Sequence, residues 1–195
     1  LVKELSKIEY VKAISLITNA TLLTKELAEQ LISAGLTEFN ISLNALESNR
    51  AREISNSKNY NIDKIKQILA KIKGKIKVII APVLVNKVNN NDIEGLIEYC
   101  KDNDFELLIQ NFMLNRRGRK PAKELPFPKF YEYLKNLEEK YKIQLIKQQG
   151  EIIKTKELPK PFKKGDIIKT EIFSRGRYSD ESLAKANGRI ITVKY

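Results

Sequence analysis

The 195-residue sequence contains no histidine, no tryptophan and a single cysteine, Cys100. Without histidine the chain cannot build a Ser-His-Asp or Cys-His catalytic unit, an imidazole ligand for zinc or haem, or a histidine pH switch. One cysteine cannot form an internal disulfide, a cysteine zinc site or a multi-cysteine cradle for an iron–sulfur cluster. We therefore predict no metal ligands within this chain, a packing role for Cys100, and a reducing, cytoplasmic location.

Two longer patterns are also missing. No apolar run reaches the roughly 18 residues that span a bilayer, so we expect no membrane partner. Neither GxGxxG nor GxxxxGK[ST] occurs, which disfavours nucleoside triphosphates and Rossmann-type dinucleotides. The chain begins with Leu1 rather than Met and enters a helix-like segment at once, which indicates a fragment whose natural N-terminus lies upstream.

The charge that is present is strongly basic, with 36 Lys and Arg against 24 Asp and Glu, a net charge of +12. Such an excess attracts phosphate backbones and other anionic partners. The densest cluster contains Arg116, Arg117 and Arg119 with no acid, and the residues after Thr155 carry ten basic and five acidic side chains. Scattered lysines are equally typical of an AT-rich genome or a heat-adapted protein. The arginine cluster and the tail instead favour RNA or a ribonucleoprotein as partner.

Apolar periodicity predicts alternating strands and helices. The predicted strands are 13–19, 39–46, 76–85, 105–114 and 143–147. The predicted helices are 24–33 after a Thr24 cap, a segment from Asn61 or Asp63 to Gly74, 93–101 after an Asp92 cap, and 127–141. We interpret 47–60 as a loop rich in Ser and Asn. This alternation is typical of parallel strands with right-handed crossovers, so we predict an α/β domain, either an open sheet or a barrel.

The pattern changes near Gln148. From there, short β-branched segments separated by Gly and Pro predict a small all-β barrel. These segments are 151–158, 165–173, 182–186 and 189–195. We therefore predict two domains, residues 1–147 and 148–195.

Ligands of α/β proteins bind beyond the carboxyl ends of the strands, which makes the polar residues there the candidate site. These residues are Thr18, Asn19, Ser42, Asn44, and the stretches 82–86 and 110–113. Hydroxyl and amide groups suit a neutral hydrogen-bonding ligand such as a ribose or an adenine edge. Any one of these polar residues, considered alone, can instead be explained by a hydrogen bond to a loop backbone group or by a helix cap.

Three segments of the chain resemble a known family. ITNATLLTKELAEQLISAGLTEFNISLNALES, KVIIAPVLVNKVNNNDIEGLIEYCKD and IQNFML are similar to the third to sixth strands of radical S-adenosylmethionine (SAM) enzymes, over roughly residues 12–120. The resemblance implies an incomplete TIM-like (β/α) barrel with SAM across the strand ends.

It also implies roles for individual residues. Ser42 would face the SAM methionine moiety or ribose, and Asn44 stands where the family usually has Asp. Thr18 and Asn19 match the turn after the third strand, with Ala20 in place of the usual Gly. Met113 would lie where main chain contacts the adenine.

The resemblance further implies parts that this chain does not contain. The CxxxCxxC loop that holds the [4Fe–4S] cluster, and the glycine-rich segment for the SAM amino group, would lie upstream of Leu1. The intact protein would then use an external electron donor to cleave SAM reductively to a 5′-deoxyadenosyl radical that abstracts hydrogen from a substrate. This chain alone is expected to be inactive.

The tail resembles the TRAM-type or OB-like barrel that ends some RNA-modifying radical SAM enzymes, and the combination resembles archaeal iron–sulfur oxidoreductases. Arg175, Arg177, Lys185 and Arg189 would contact phosphates there. Phe173 and Tyr178 would either stack on bases or fill the core of the small barrel.

Three functional hypotheses follow. The first is a radical SAM enzyme whose substrate is RNA. The second is a non-catalytic RNA- or ribosome-associated protein that keeps a decayed barrel and binds through its basic surface. The third is a small-molecule enzyme with an accessory domain. The sequence does not define the oligomeric state.

Overall fold

The computed structural model describes residues 1–114, 120–146 and 160–195. The helices are α1 (Val2–Leu5), α2 (Lys25–Ser33), α3 (Ser48–Ser55), α4 (Ile62–Ile72), α5 (Asn90–Asn103) and α6 (Phe127–Tyr141). The strands are β1 (Ser15–Thr18), β2 (Glu38–Ile41), β3 (Lys77–Ile80), β4 (Val83–Leu84), β5 (Glu106–Leu107), β6 (Gln110–Asn111), β7 (Ile172–Arg175), β8 (Glu181–Ala186) and β9 (Arg189–Lys194).

The chain divides into two compact units. The first comprises residues 1–112 and 121–146, and the second comprises residues 113–120 and 147–195. In the first unit, β1, β2, β3 and β5 form a parallel sheet in the order β1-β2-β3-β5, and β4 pairs with β6 in a second parallel sheet. The predicted parallel α/β organisation is therefore confirmed. The predicted domain boundary between 147 and 148 lies outside the described residues.

The second unit contains an antiparallel sheet in the order β7-β8-β9. A separate antiparallel sheet after the α/β part agrees with the sequence prediction, with strands at two of the predicted segments and at the end of a third. The segment 151–158 and the arginine cluster at 116, 117 and 119 lie outside the described residues.

The core of the first unit lies on one face of the parallel sheet. Phe39, Ile41 and Ile80 are all fully buried in it. Helix α4 covers this face because its apolar residues recur at helical spacing, so that Ile62, Ile65, Ile68, Leu69 and Ile72 are all buried. The Asn61 side chain caps α4 by accepting the Lys64 N–H at 2.9 Å, and Thr24 caps α2 by accepting the Leu27 N–H at 3.1 Å. Both predicted helix starts are confirmed.

The prediction of a loop over 47–60 is wrong in its first half, where α3 forms. The Glu47 carboxylate accepts the N–H groups of Asn49 and Arg50 at 2.9 and 2.7 Å and thereby caps the helix. These hydrogen bonds lower the Glu47 pKa. The buried Ala51 gives this polar helix its contact with the core. A single buried alanine provides no periodicity for a sequence pattern to detect.

The strands are shorter than the runs that indicated them: 13–19 contains β1, 39–46 keeps strand structure only to Ile41 of β2, and the runs 76–85 and 105–114 each divide into two strands. The run 76–85 is interrupted at Pro82, which lacks an N–H, so β3 joins one sheet and β4 the other. The run 105–114 similarly divides into β5 and β6.

Two other local predictions are wrong. Residues 143–146 form no strand, since the N–H groups of Leu145 and Ile146 donate to the Glu138 carboxylate at 2.6 and 2.7 Å rather than to a neighbouring strand. Asp92 does not cap α5, which begins two residues earlier, and its carboxylate instead accepts from Arg50 Nε at 3.1 Å.

Within the described residues, no helix combines the length and the apolar character that a membrane span requires.

Candidate functional site

The carboxyl ends of β1 and β2 and the segment that follows α3 surround a cavity of about 550 Å³. This volume lies within the range of small-molecule and cofactor sites. The residues that line the cavity are Asn19, Thr21, Leu22, Ser42, Asn44, Ala45, Ala51, Ser55, Ser57, Asn59 and Tyr60.

The lining of this cavity is uncharged and mixes polar with apolar side chains. It contains hydroxyl and amide side chains and no Asp, Glu, Lys or Arg. Burial raises the pKa of Tyr60, which is 6% exposed, so its phenol stays protonated at neutral pH. The cavity is therefore suited to a neutral group that both donates and accepts hydrogen bonds, such as a ribose or a nucleobase.

Backbone hydrogen bonds hold Ser42 at the mouth of the sheet. Its N–H donates to the Thr18 carbonyl at 2.8 Å, which continues the pairing of β1 and β2 by one residue. From the segment that follows α3, the Tyr60 hydroxyl donates to the Ser42 carbonyl oxygen at 3.4 Å. Ser42 is thus fixed through its main chain while its side chain lines the cavity.

Asn44 connects the cavity to the next strand. The Val83 N–H donates to Asn44 Oδ1 at 2.8 Å, at the start of β4. Because that bond fixes Oδ1 as the acceptor, the Nδ2 amide is the group that Asn44 offers to the cavity. The family that the sequence resembles usually has Asp at this position. An ionised Asp only accepts hydrogen bonds, so Asn44 has a donor where that family has a second acceptor.

The turn after β1 is built by its own side chains. Asn19 Oδ1 accepts from the Thr21 N–H and hydroxyl at 3.2 and 2.8 Å, and Thr18 Oγ1 accepts from the Ala20 N–H at 3.0 Å. Ala20 has φ of +58°, a conformation that favours glycine. The turn therefore adopts the backbone expected of the usual Gly even though Ala occupies the position.

Three of the five predicted SAM-binding residues come together at this cavity: Asn19, Ser42 and Asn44. The Thr18 hydroxyl faces the turn, and Met113 belongs to the second unit. The roles of all five residues stay predictions.

Five lining residues come from the stretch 47–60, which sequence reasoning treated as a loop, namely Ala51, Ser55, Ser57, Asn59 and Tyr60. The one available signal was Tyr60, a lone aromatic within a polar stretch that directly precedes the Asn61 cap.

The single cysteine is not suited to bind a metal cluster. Cys100 is 3% exposed in the core, and burial raises its pKa to about 12. Since the metal ligand is the thiolate, a thiol that stays protonated at neutral pH agrees with a packing role. Among residues 1–114, 120–146 and 160–195, no group of three His, Cys, Asp or Glu could hold a metal ion.

The parallel sheet and its strand-end cavity define an α/β protein of the class that binds ligands beyond the carboxyl ends of its strands. The family model of the radical SAM superfamily matches residues 1–100. The chain therefore belongs to the radical SAM superfamily, whose members use SAM and a [4Fe–4S] cluster.

Similar proteins extend this comparison. An uncharacterized protein of Methanocaldococcus jannaschii is 33% identical over 207 aligned residues, covering 92% of this chain and 48% of that protein. A GTP 3′,8-cyclase of Helicobacter pylori is 33% identical over 136 residues, covering 69% of this chain and 41% of the cyclase. A GTP 3′,8-cyclase of Staphylococcus epidermidis is 34% identical over 113 residues, covering 58% of this chain and 33% of that cyclase. The chain thus spans half or less of the length of these relatives.

Proposed function

We propose that the intact protein is a radical SAM enzyme in which the strand-end cavity holds the adenosine part of SAM. The observation that carries this proposal is the meeting of Asn19, Ser42 and Asn44 at one uncharged cavity of suitable volume. The amide and hydroxyl groups match the ribose hydroxyls and the adenine edge. We further propose that the parallel sheet is part of an incomplete TIM-like barrel, which would place these strand ends around a common mouth.

When bound beside a reduced cluster, SAM supplies a 5′-deoxyadenosyl radical that abstracts a hydrogen atom from the substrate. This chain would provide binding and orientation. The Asn44 Nδ2 amide donates to a ribose or adenine acceptor, and the Ser42 hydroxyl both donates and accepts. Buried Tyr60 and Ala51 close the cavity wall against water.

The test uses the whole protein, reconstituted anaerobically with iron and sulfide and reduced with dithionite. We expect 5′-deoxyadenosine and methionine to form from SAM. Ser42→Leu, which places a branched apolar side chain in the cavity, should lower the rate of formation by about tenfold or more, a loss of one to two hydrogen bonds. Ser15→Leu, at the exposed amino end of β1, is the matched control and should keep the rate. No 5′-deoxyadenosine from the reconstituted protein would contradict the proposal.

For the substrate we propose RNA, supported by the net charge of +12 and by the exposed arginines of the second unit. The alternative substrate in the test is GTP, which the names of the cyclase relatives give as the substrate of those enzymes. The same reconstituted protein is incubated with single-stranded RNA in one arm and with GTP in the other. When the RNA is deuterated, we expect deuterium to appear in the 5′-deoxyadenosine, because the 5′-deoxyadenosyl radical would take it from the RNA. Turnover of GTP alone would contradict RNA as substrate.

A second candidate function is RNA binding by the small antiparallel sheet without catalysis. It is favoured by Phe173, which is 58% exposed in β7 and so does not fill a core, and by exposed Arg175 on the same strand. The Arg177 guanidinium also lies over the Tyr178 ring at 5.7 Å from its centroid. An exposed aromatic beside arginines is suited to stacking on bases and contacting phosphates.

Salt dependence tests this second function. If Arg175, Arg177 and Arg189 contact phosphates, changing all three to Gln should flatten the slope of log K against log salt for single-stranded RNA by about 2. Changing Lys3, Lys12 and Lys25 of the first unit to Gln alters the net charge equally and should leave the slope nearly unchanged. Equal slopes for both triple variants would argue against a site on the small sheet.

A further inference from the structure

The face of the parallel sheet opposite the core carries a buried polar group without a partner. Side chains alternate along β2, so Phe39 and Ile41 enter the core while Asn40 lies on the opposite face. Asn40 is only 8% exposed, and its Oδ1 is buried and makes no hydrogen bond. Buried acceptors in folded proteins are nearly always paired, because leaving one unpaired costs its hydration. An unpaired one therefore needs an explanation.

The neighbours of Asn40 do not supply that partner. In the sheet register Ile17 of β1 lies on one side of Asn40 and Ile79 of β3 on the other. Ile17 is 71% exposed, whereas Ile79 is only 8% exposed although it lies outside the core that the helices cover. The charged residues at the amino end of this face are occupied with one another, since Lys77 Nζ contacts Glu38 at 3.5 Å and Glu106 at 3.1 Å.

The position of Asn40 relates it to the cavity. It precedes Ser42 by two residues on β2, so both lie on the same face, and Asn40 is roughly 7 Å deeper along the strand. Asn40 is not among the residues that line the cavity, so a ligand would reach it by extending from the strand ends along this face. Around it the face offers two isoleucine side chains and one acceptor, which suits a flat ring with apolar faces and an N–H on its edge.

We propose that Asn40 is a substrate-binding residue whose Oδ1 accepts a hydrogen bond from an N–H of the substrate's nucleobase. The proposal rests on the radical SAM function proposed above and adds the substrate's recognition group. Guanine carries a ring N–H and an exocyclic amine, whereas unsubstituted purine carries neither. A site built to hydrogen-bond an N–H discriminates strongly against the analogue that lacks it.

The experiment measures binding to the whole reconstituted protein by calorimetry. The probes are GTP, purine riboside triphosphate and a short guanine-containing single-stranded RNA, so that a free nucleotide and RNA are distinguished as sources of the base. We expect at least one of the guanine probes to bind about tenfold or more tightly than the purine analogue. Asn40→Leu, of similar volume, should abolish that preference, while Asn40→Asp, which keeps an acceptor oxygen, should retain most of it.

Two control measurements separate this role from a structural one. Asn40→Leu should leave SAM affinity and the melting temperature unchanged, since it removes an unpaired group. A fall in melting temperature of more than about 4 °C would reveal a protein partner for the amide and overturn the proposal. So would unchanged guanine preference in Asn40→Leu.

The remaining outcomes distinguish this proposal from the one it rests on. A wild-type protein that binds and cleaves SAM but binds neither guanine probe overturns the role of Asn40 and leaves the radical SAM function intact. A protein that shows the guanine preference but never cleaves SAM overturns the proposed function and keeps Asn40 as a nucleobase-binding residue.

Discussion

Asn44→Leu is expected to raise the Kd of the whole protein for SAM by roughly 30-fold, about 2 kcal/mol. Two effects add. The leucine removes the Nδ2 donor that lines the cavity, and it leaves the Val83 N–H, now 2.8 Å from Asn44 Oδ1, without its acceptor. The loop between β2 and α3 is then no longer held against β4. Calorimetric titration of the reconstituted protein with SAM measures the change.

Asn44→Asp separates the two effects. The carboxylate still accepts the Val83 N–H, so the loop keeps its place, but the donor is lost and a charge is added to an uncharged cavity. If the donor matters for binding, Asn44→Asp weakens SAM binding while the thermal stability stays that of the wild type. If Asn44→Asp binds SAM as well as or better than the wild type, the ligand presents a donor to this position, and our assignment of Nδ2 as the contacting group is wrong.

The predictable part of the fold is the part in which local patterns and packing agree. Helix α4 combines an Asn61 cap with apolar residues at helical spacing, and the structure uses both. The four strands of the main parallel sheet lie in short, largely apolar runs between predicted helices. Polar residues at the ends of β1 and β2 were accessible to sequence reasoning for the same reason, since parallel strands end at one edge.

The rest depends on contacts between residues distant in sequence. Helix α3 is held by Arg50, which donates to the Val88 carbonyl, Glu53 and Asp92, two of them about forty residues away. These bonds also take Asp92 away from the capping role that its position indicated. Asn89 instead accepts the Val85 N–H at 2.8 Å inside the turn before α5. A one-dimensional pattern contains no information about such partners.

Phe39→Ala is expected to lower the free energy of unfolding of the first unit by about 3–5 kcal/mol. The ring is 0% exposed within the core, and the helices that surround it cannot collapse fully into the space it would leave. Against a typical total of about 5–15 kcal/mol, this loss removes a large part of the stability. Urea denaturation of the 195-residue chain, followed by helical circular dichroism, reports on the first unit because all described helices belong to it.

Ile17→Ala is the matched change on the opposite face of the same sheet. Its side chain is 71% exposed and lies beside Asn40 in the register, so its removal should change the free energy of unfolding by less than about 0.5 kcal/mol. The difference between the two variants measures the asymmetry of the sheet directly. A comparable loss from Ile17→Ala would mean that this face is covered by the chain's own residues. In that case a nucleobase could not pack against Ile17 beside Asn40, and the sheet would present only its strand ends to a ligand.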